Sequence, residues 1–577
     1  MVEALWSAAS VAQHAPRLVA AFQPMLAATT APVTAPAVTA PAITVPAVTA
    51  PAPTLPVFGT PTPAASPTTT TPAANIELPS LLLSAVVWAP TVVALVILLM
   101  PERTADQKSR IRSLALSASA AALVLTLFTM GSAISLGVAA TADQLHEEHA
   151  TWISQFLFTV HYHLSADGVT LSLLTLSTLV FTSVFLAAWK RRDRLRLYCG
   201  LLLLLETAVN GALCATDVVL FLMFFAMQVV PVCLLIRCFG GAGRERAAWR
   251  AGIAGLVATA LLLVAFLLLI VHSGVHSSDL IDLSSPAHAL PDGVLTAGFW
   301  LTFTAFALGF MVVPFHTWVI DATASASSGV AAVIAGVVVR LSGYGMLRLC
   351  IGLFPLQAQR YGTAITVLAV FSAVWAVVVA LAQPTLRRVV AAVSVGQMSL
   401  VLLAVSAPNT ISLSGAVLQL VAGGLSTGLL LLVCGAVEGR TQSVALSRLG
   451  GLAAQAPRLS GFWIVACLAA IGAPLLAGFS AELMLFSGTF PIHPLPTAVL
   501  IATTLVSTAA LLWATQRVFL GPAREEFARV RDVTALELSY LWPLVVFLVA
   551  FGVLAGRVVP VIGTGLTRIV ATLGGTR

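Results

Sequence analysis

The sequence predicts an all-α protein embedded in a membrane, and three observations carry that prediction. Hydrophobic residues make up 59% of the 577 residues and charged ones 9%, with a mean hydropathy of +1.00; a soluble chain of that composition has no means of covering its apolar surface. The apolar residues fall into runs of about 20, the length that crosses a hydrocarbon core of about 30 Å. Between the runs, Lys and Arg collect in alternate short connections, the asymmetry that orients helices in a bilayer. The net charge of +7 therefore sets topology and does not form a basic face for nucleic acid.

The chain opens with two segments that precede any strong span. Met1 to Thr30 is Ala-rich, and Glu3 stands where a secretory signal carries positive charge, so cleavage as a signal peptide is not expected. From Ala31 to Ala74 the composition is Pro/Ala/Thr/Val, with Pro36, Pro41, Pro46, Pro51 and Pro56 at every fifth position. Such a stretch favours polyproline-like conformers and has no face to bury, so residues 1–77 are expected to form a disordered extension.

About fourteen spanning helices follow, expected near 79–100, 113–138, 168–189, 197–215, 218–237, 248–272, 295–323, 329–353, 362–382, 389–407, 413–437, 461–488, 495–518 and 537–558. Basic residues fill the connections Arg103 to Arg112, Lys190 to Arg196, Arg237 to Arg250, Arg387-Arg388, Arg440 to Arg458 and Arg517 to Arg531. Those connections are expected on the cytoplasmic side. The opposite connections 139–167, 273–294, 408–412 and 489–494 hold no Lys or Arg, which puts both termini on the outer side; Arg360 is the one internal exception. The stretch from Gln516 to Asp532 reads as a basic connection lying on the membrane surface or against a partner subunit.

Two of these spans are longer than the rest and interrupted. In the seventh, Val313-Pro314 is followed by Phe315-His316-Thr317-Trp318. Proline removes a backbone donor and clashes with the preceding turn, so carbonyls freed in hydrocarbon need neighbouring helices, polar side chains or water. In the twelfth, Gly472-Ala473-Pro474 and Gly478 break the helix just before Glu482. Broken helices either line ion paths or are packing kinks. Two of them, five spans apart and running in opposite senses, fit an inverted repeat of spans 4–8 and 9–13. The expected divisions are 1–77, 78–196, 197–361, 362–518 and 519–577. Cys199, Cys214, Cys233, Cys238, Cys350, Cys434 and Cys467 lie in or beside spans without CxxC spacing, and read as small apolar fillers with no metal, iron-sulfur or disulfide role.

Several short stretches carry a family resemblance: Asp167-Gly168-Val169-Thr170-Leu171, Leu202 to Glu206, Asp217 to Phe221, Pro314 to Trp318, Gly343-Tyr344-Gly345 with Arg348, and Gly478 to Glu482. In this order, over roughly residues 78–541, the chain resembles the antiporter-like M subunits of bacterial proton-pumping NADH-quinone oxidoreductase, respiratory complex I. The Asp-Gly pair before the third span favours M over the related L and N subunits. The resemblance implies fourteen helices, two inverted five-helix half-channels and breaks in helices 7 and 12. It also implies proton translocation as one module of a larger complex, with NADH, flavin, iron-sulfur centres and quinone bound elsewhere, so that this chain holds no cofactor, metal or redox site of its own.

The resemblance also implies site residues, and here the chain departs from it. The family's paired glutamate and lysine fall on Ala226 and Gly309, its next lysine on Arg340, and two histidines on Gln397 and Gly423. Losing both members of a buried pair avoids stranding one charge, a penalty of about 3–5 kcal/mol. Gln228 lies near Ala226, but an amide supplies no charge. Arginine does not deprotonate in proteins, so Arg340 can bias a field or pair with an anion without releasing a proton. Glu482 is the one central titrating position retained.

Ionisable groups in a membrane mark paths or paired structural sites. On that basis the candidates for a proton path are Glu482, Glu206, His316 and Arg340, with Pro314 and Pro474 as the helix breaks. Each has a structural alternative. Glu206 is either a functional carboxylate or the partner of an arginine such as Arg340. Asp217 caps the fifth span or takes part in transfer, and His316 and Asp321 either transfer protons or bond the backbone freed at Pro314. Glu482 is either a titrating group or half of a structural ion pair. Two functions of different classes follow: a working proton-translocating module, or a non-pumping scaffold that seals the membrane and couples its neighbours. A subunit of a related cation/proton antiporter is a third.

Overall fold

The computed structural model describes residues 81–136, 146–153, 159–273, 277–283, 290–522, 525–527 and 530–574. The expected extension of residues 1–77 lies outside the described residues, as do Arg524 and Arg529 of the basic connection.

The chain is a bundle of helices: α1 Leu82–Leu99, α2 Ala105–Leu136, α3 Gly168–Ala187, α4 Leu195–Cys214, α5 Val218–Met227, α6 Val229–Phe239 and α7 Arg244–Ser273. It continues through α8 Asp292–Gly309, α9 Thr317–Ser325, α10 Ser328–Ile351, α11 Gly362–Leu381, α12 Leu386–Ser406 and α13 Thr410–Thr441. The last elements are α14 Pro457–Ala470, α15 Ala477–Thr489, α16 Pro494–Thr515, α17 Ala535–Val553 and α18 Ala555–Gly574.

Among the described residues, 13 helices are long and apolar enough to cross a membrane. The pair α14 and α15 occupies the place of the remaining expected span. Several helices begin before the apolar run does. Helix α2 starts at Ala105, with Lys108, Arg110 and Arg112 in its first turns, and α7 starts at Arg244. Good helix formers continue the hydrogen-bond ladder beyond the hydrocarbon boundary.

Several helices start where side chains accept the first free N–H groups. Asp167 accepts from Thr170 N at 2.8 Å at the start of α3, and Asp217 from Val219 N at 2.8 Å at the start of α5. Asn409 with Ser412, and Thr534 with Glu537, form reciprocal capping boxes on α13 and α17.

The centre of the bundle is made by α3, α10, α12 and α13, whose residues are buried almost all round. Helices α7, α11 and α16 instead expose apolar faces, among them Leu256, Val367, Phe371 and Leu505. Without water to compete for it, such a face is covered by lipid.

Two elements depart from the expected all-helical layout. The connection 139–167 contains a hairpin, β1 His146–Ile153 antiparallel to β2 Val160–Ala166, with His149 opposite His163 and Thr151 opposite His161. The tail beyond the last expected span forms α18, whose buried Val558, Val561, Ile562 and Leu566 recur at helical spacing on one face. That face crosses the start of α3 so closely that a Cβ at Gly168 would stand 1.7 Å from the Val561 carbonyl oxygen.

Candidate functional site

The first break separates α8 from α9 over residues 310–316, with Met311 at φ +66 and a cis Val313-Pro314 peptide. Its freed groups find side chains. Trp318 Nε1 donates to the Leu308 carbonyl at 2.7 Å, and Val313 N donates to Ser372 Oγ of α11 at 3.2 Å. His316 is buried, and its Nδ1 has no hydrogen-bond partner. Asp321 pairs with Arg250, and with Arg388 at 3.2 Å. Neither His316 nor Asp321 therefore bonds the backbone at this break through its side chain. The tryptophan takes that role because its indole is the donor within reach.

Gly309 borders a small cavity, which Phe225 and Gln228, on either side of Ala226 in sequence, also line. Helix α5 ends at Met227, and Gln228, Gly309, Ser342, Phe225 and Trp318 line a cavity of about 40 Å³. Room for a water exists there, and Gln228 Oε1 has no partner among the described residues. A side chain at position 309 requires Ser342 to move, since its Cβ would stand 2.1 Å from Ser342 Oγ and 3.0 Å from Ser342 Cβ.

The second break separates α14 from α15 over residues 471–476, with Gly472 and Leu475 both at φ +71. At Gly472 a Cβ would meet Glu482 Oε2 at 2.5 Å, so the Glu482 carboxylate lies directly against the broken backbone. Glycine is required there both by φ and by space. Glu482 is buried, and its carboxylate has no hydrogen bond or ion pair among the described residues. On the other side of the break, the freed carbonyl of Ala470 accepts from Gln397 Nε2 at 3.2 Å.

Gln397 connects this break to Arg340, whose Nη2 lies 3.5 Å from Gln397 Oε1, 3.0 Å from Ser394 Oγ and 3.3 Å from Thr427 Oγ1. Arg340 is 1% exposed, and its Nε and Nη1 have no hydrogen-bond partner. It sits between two π-helical turns of α10, Ile334–Val338 and Met346–Ile351, which interrupt the regular ladder on either side of it. Gly423 leaves space for the guanidinium: a Cβ there would be 3.0 Å from Gln397 Oε1 and 3.2 Å from Arg340 Nη2. Arginine at 340 and glycine at 423 thus fit each other sterically.

Glu206 stands apart from this chain. It is fully buried, accepts from Ser119 Oγ at 2.9 Å, and leaves Oε2 without a partner. Ser119 in turn contacts Thr182 Oγ1 at 3.0 Å. The alternative that pairs Glu206 with Arg340 is corrected by the structure, since each bonds hydroxyls or amides of its own neighbourhood and no ion pair joins them. Arg348, on the same helix as Arg340, does meet a carboxylate and is bonded to Asp167. Asp167-Gly168 accordingly has three tasks: capping α3, anchoring Arg348 and admitting the backbone of α18.

Sequence reasoning missed a cluster at the hairpin. His163 Nδ1 bonds Asp279, and His163 Nε2 lies 2.9 Å from Glu147 Oε1 without hydrogen-bonding geometry. Burial opposes the charged ring, but the bonded Asp279 and nearby Glu147 outweigh it and hold His163 above the ordinary imidazole value. The alternation His161-Tyr162-His163 opposite His149 was the available signal, legible only once the register is known.

Residues 215–513 match the family described as NADH:quinone oxidoreductase/Mrp antiporter, TM. The chain is 29% identical over 435 residues to the NADH-quinone oxidoreductase subunit M of Rhodobacter capsulatus, covering 73% of this chain and 84% of that one. It is 28% identical over 498 residues to NAD(P)H-quinone oxidoreductase chain 4 2 of Synechococcus sp. (strain JA-3-3Ab), covering 84% and 90%. A chain of the respiratory complex I structure from Thermus thermophilus with bound NADH superposes with a TM-score of 0.75 at 25% identity, over 85% of this chain and 99% of that one. A chain of the Mrp complex from Dietzia sp. DQ12-45-1b shares the fold, with a TM-score of 0.73 at 19% identity over 86% and 98%. On a match that spans more than half its length, with the two broken helices both inside the matched region, the chain belongs to the NADH:quinone oxidoreductase/Mrp antiporter transmembrane family.

Proposed function

We infer that this chain is the M-type membrane-arm subunit of a proton-translocating NADH-quinone oxidoreductase, with a proton path that survives in its second half and is closed in its first. The observation that carries the reading is the polar line from Arg340 through Gln397 to the Ala470 carbonyl, at the break that Glu482 faces from its other side. A carboxylate held against broken backbone can exchange its proton with water admitted at the break. Arg340 supplies fixed positive charge beside that line.

The redox groups belong to other subunits, and other membrane subunits are the partners. The basic connections support a cytoplasmic face at Arg237 to Arg250 and Arg440 to Arg458, with both termini on the outer side of a bacterial plasma membrane. The position of the two breaks, five spans apart, supports inverted repeats over 197–361 and 362–518.

The test is proton flux in vesicles bearing the assembled complex. Glu482→Gln is expected to lower the proton-to-electron ratio while electron transfer continues; an unchanged ratio removes Glu482 from the path. A non-pumping scaffold is the second reading, favoured by the closure of the first site: Gly309 abuts Ser342, and Ala226 carries no charge. Reopening that site needs three changes, Ala226→Glu, Gly309→Lys and Ser342→Gly, and the scaffold reading expects a ratio that rises only in the triple variant. Neighbouring genes for a full oxidoreductase set separate both readings from a subunit of a cation/proton antiporter.

A further inference from the structure

The hairpin brings together more metal-binding chemistry than its structural task requires. In a strand, alternate residues share a face, so His161 and His163 of β2 point the same way, and the register sets His149 and Glu147 of β1 on that same face. The rings confirm the placement. His149 stacks on His161 with centroids 4.9 Å apart and meets His163 edge-on at 5.0 Å. From outside the hairpin comes Asp279, whose carboxylate accepts from Ile281 N at 2.8 Å and bonds His163 Nδ1. Its backbone bridges to Asp217, the cap of α5.

We propose that His149, His163 and Asp279 form a binding site for a divalent transition-metal cation of the zinc class, with Glu147 as the carboxylate that orients the His163 ring. One ligand atom from each of the three residues lies within 4.8 Å of the others. Donors about 2.0–2.1 Å from a tetrahedral zinc stand about 3.4 Å apart, a contraction that rotation of the exposed His149 ring supplies. Imidazole and carboxylate together suit zinc better than calcium or magnesium, which favour all-oxygen shells. The buried pair is held ready: His163 is 2% exposed and fixed between two carboxylates, while His149 is exposed and gives an ion its way in. The cation replaces the proton shared by His163 Nδ1 and Asp279, leaving Glu147 beside Nε2 as the outer partner that fixes a metal-bound histidine. Occupancy would tie the hairpin to the segment 277–283 and, through Asp217, to the start of α5.

The experiment measures Zn²⁺ bound to the purified complex containing this chain, as isolated and after chelation and reloading, against the same complex carrying His149→Ala. The substituted ring is exposed, so the variant keeps the His163–Asp279 contact and folds. The expected result is one Zn²⁺ per chain more in the wild type, an affinity loss of about tenfold or more in the variant, and visible absorption bands from Co²⁺ in the wild type alone. A rise in thermal midpoint on adding Zn²⁺ is expected to shrink in the variant. Equal Zn²⁺ content and equal thermal shifts in the two complexes would overturn the proposal.

Discussion

Arg340 and Gly423 form one steric unit, in which a change at either position bears on the other. A guanidinium needs more room than an ammonium, and the missing side chain at 423 provides it. Placing a histidine back with Gly423→His is expected to lower the amount of assembled protein, and Gly423→His with Arg340→Lys to restore it. In a double-mutant cycle the two positions should couple by about 0.5–3 kcal/mol. Arg340 also leaves Nε and Nη1 without partners, and the bonds it does make are to neutral groups. Arg340→Met is therefore expected to keep or raise the thermal midpoint of the detergent-solubilised protein; a fall of several degrees would mean that its bonds to Ser394 and Thr427 outweigh burial of the charge. Gly472→Ala meets both a left-handed backbone and the Glu482 carboxylate, and should destabilise the protein by about 1–3 kcal/mol in unfolding measurements.

At the level of elements, the two breaks solve one problem in different ways. A helix interrupted in hydrocarbon has donors and acceptors that cannot turn to water. At the first break the answer is partly local, from Trp318 nine residues beyond Gly309, and partly from α11, through Ser372. At the second the answer comes from α12, through Gln397. Trp318→Phe removes one donor while keeping an aromatic body, and is expected to cost about 1–3 kcal/mol of stability, read as a lower thermal midpoint. The breaks were legible because proline and glycine act through the backbone and leave a mark in the chain itself. The partners were not, because nothing near Pro474 in the sequence points to position 397. Helix α18 was missed for a related reason: its single apolar stripe is too narrow for a span, and only the glycine at 168 that admits it explains where it lies. Gly168→Ala should lift α18 from the start of α3, seen as faster amide exchange over 555–567.

On the scale of the whole molecule, lipid-facing apolar helices surround a buried centre that holds polar groups of both halves, Glu206, Gln228 and Arg340 in the first and Gln397 and Glu482 in the second. The distribution of basic residues predicts a definite orientation. In cysteine-substituted protein, a membrane-impermeant thiol reagent should reach Gly241→Cys from the cytoplasmic side alone and Thr410→Cys from the opposite side alone; both positions are exposed. Labelling of both from one side would refute the assignment and with it the outer placement of the hairpin.

The sequence by itself determined the membrane class, the approximate place of each span, the two interruptions and the absence of charge at Ala226 and Gly309. Those properties are written along the chain, because a bilayer demands long apolar runs and makes every break in the backbone ladder conspicuous. Tertiary structure alone decided that Arg340 is joined to Gln397 and separate from Glu206, that Ser342 closes the first site, and that His149, His163 and Asp279 converge. Contacts between residues far apart in the chain depend on helix rotation and strand register, and a period of hydrophobicity constrains the buried face without naming the residue that meets it.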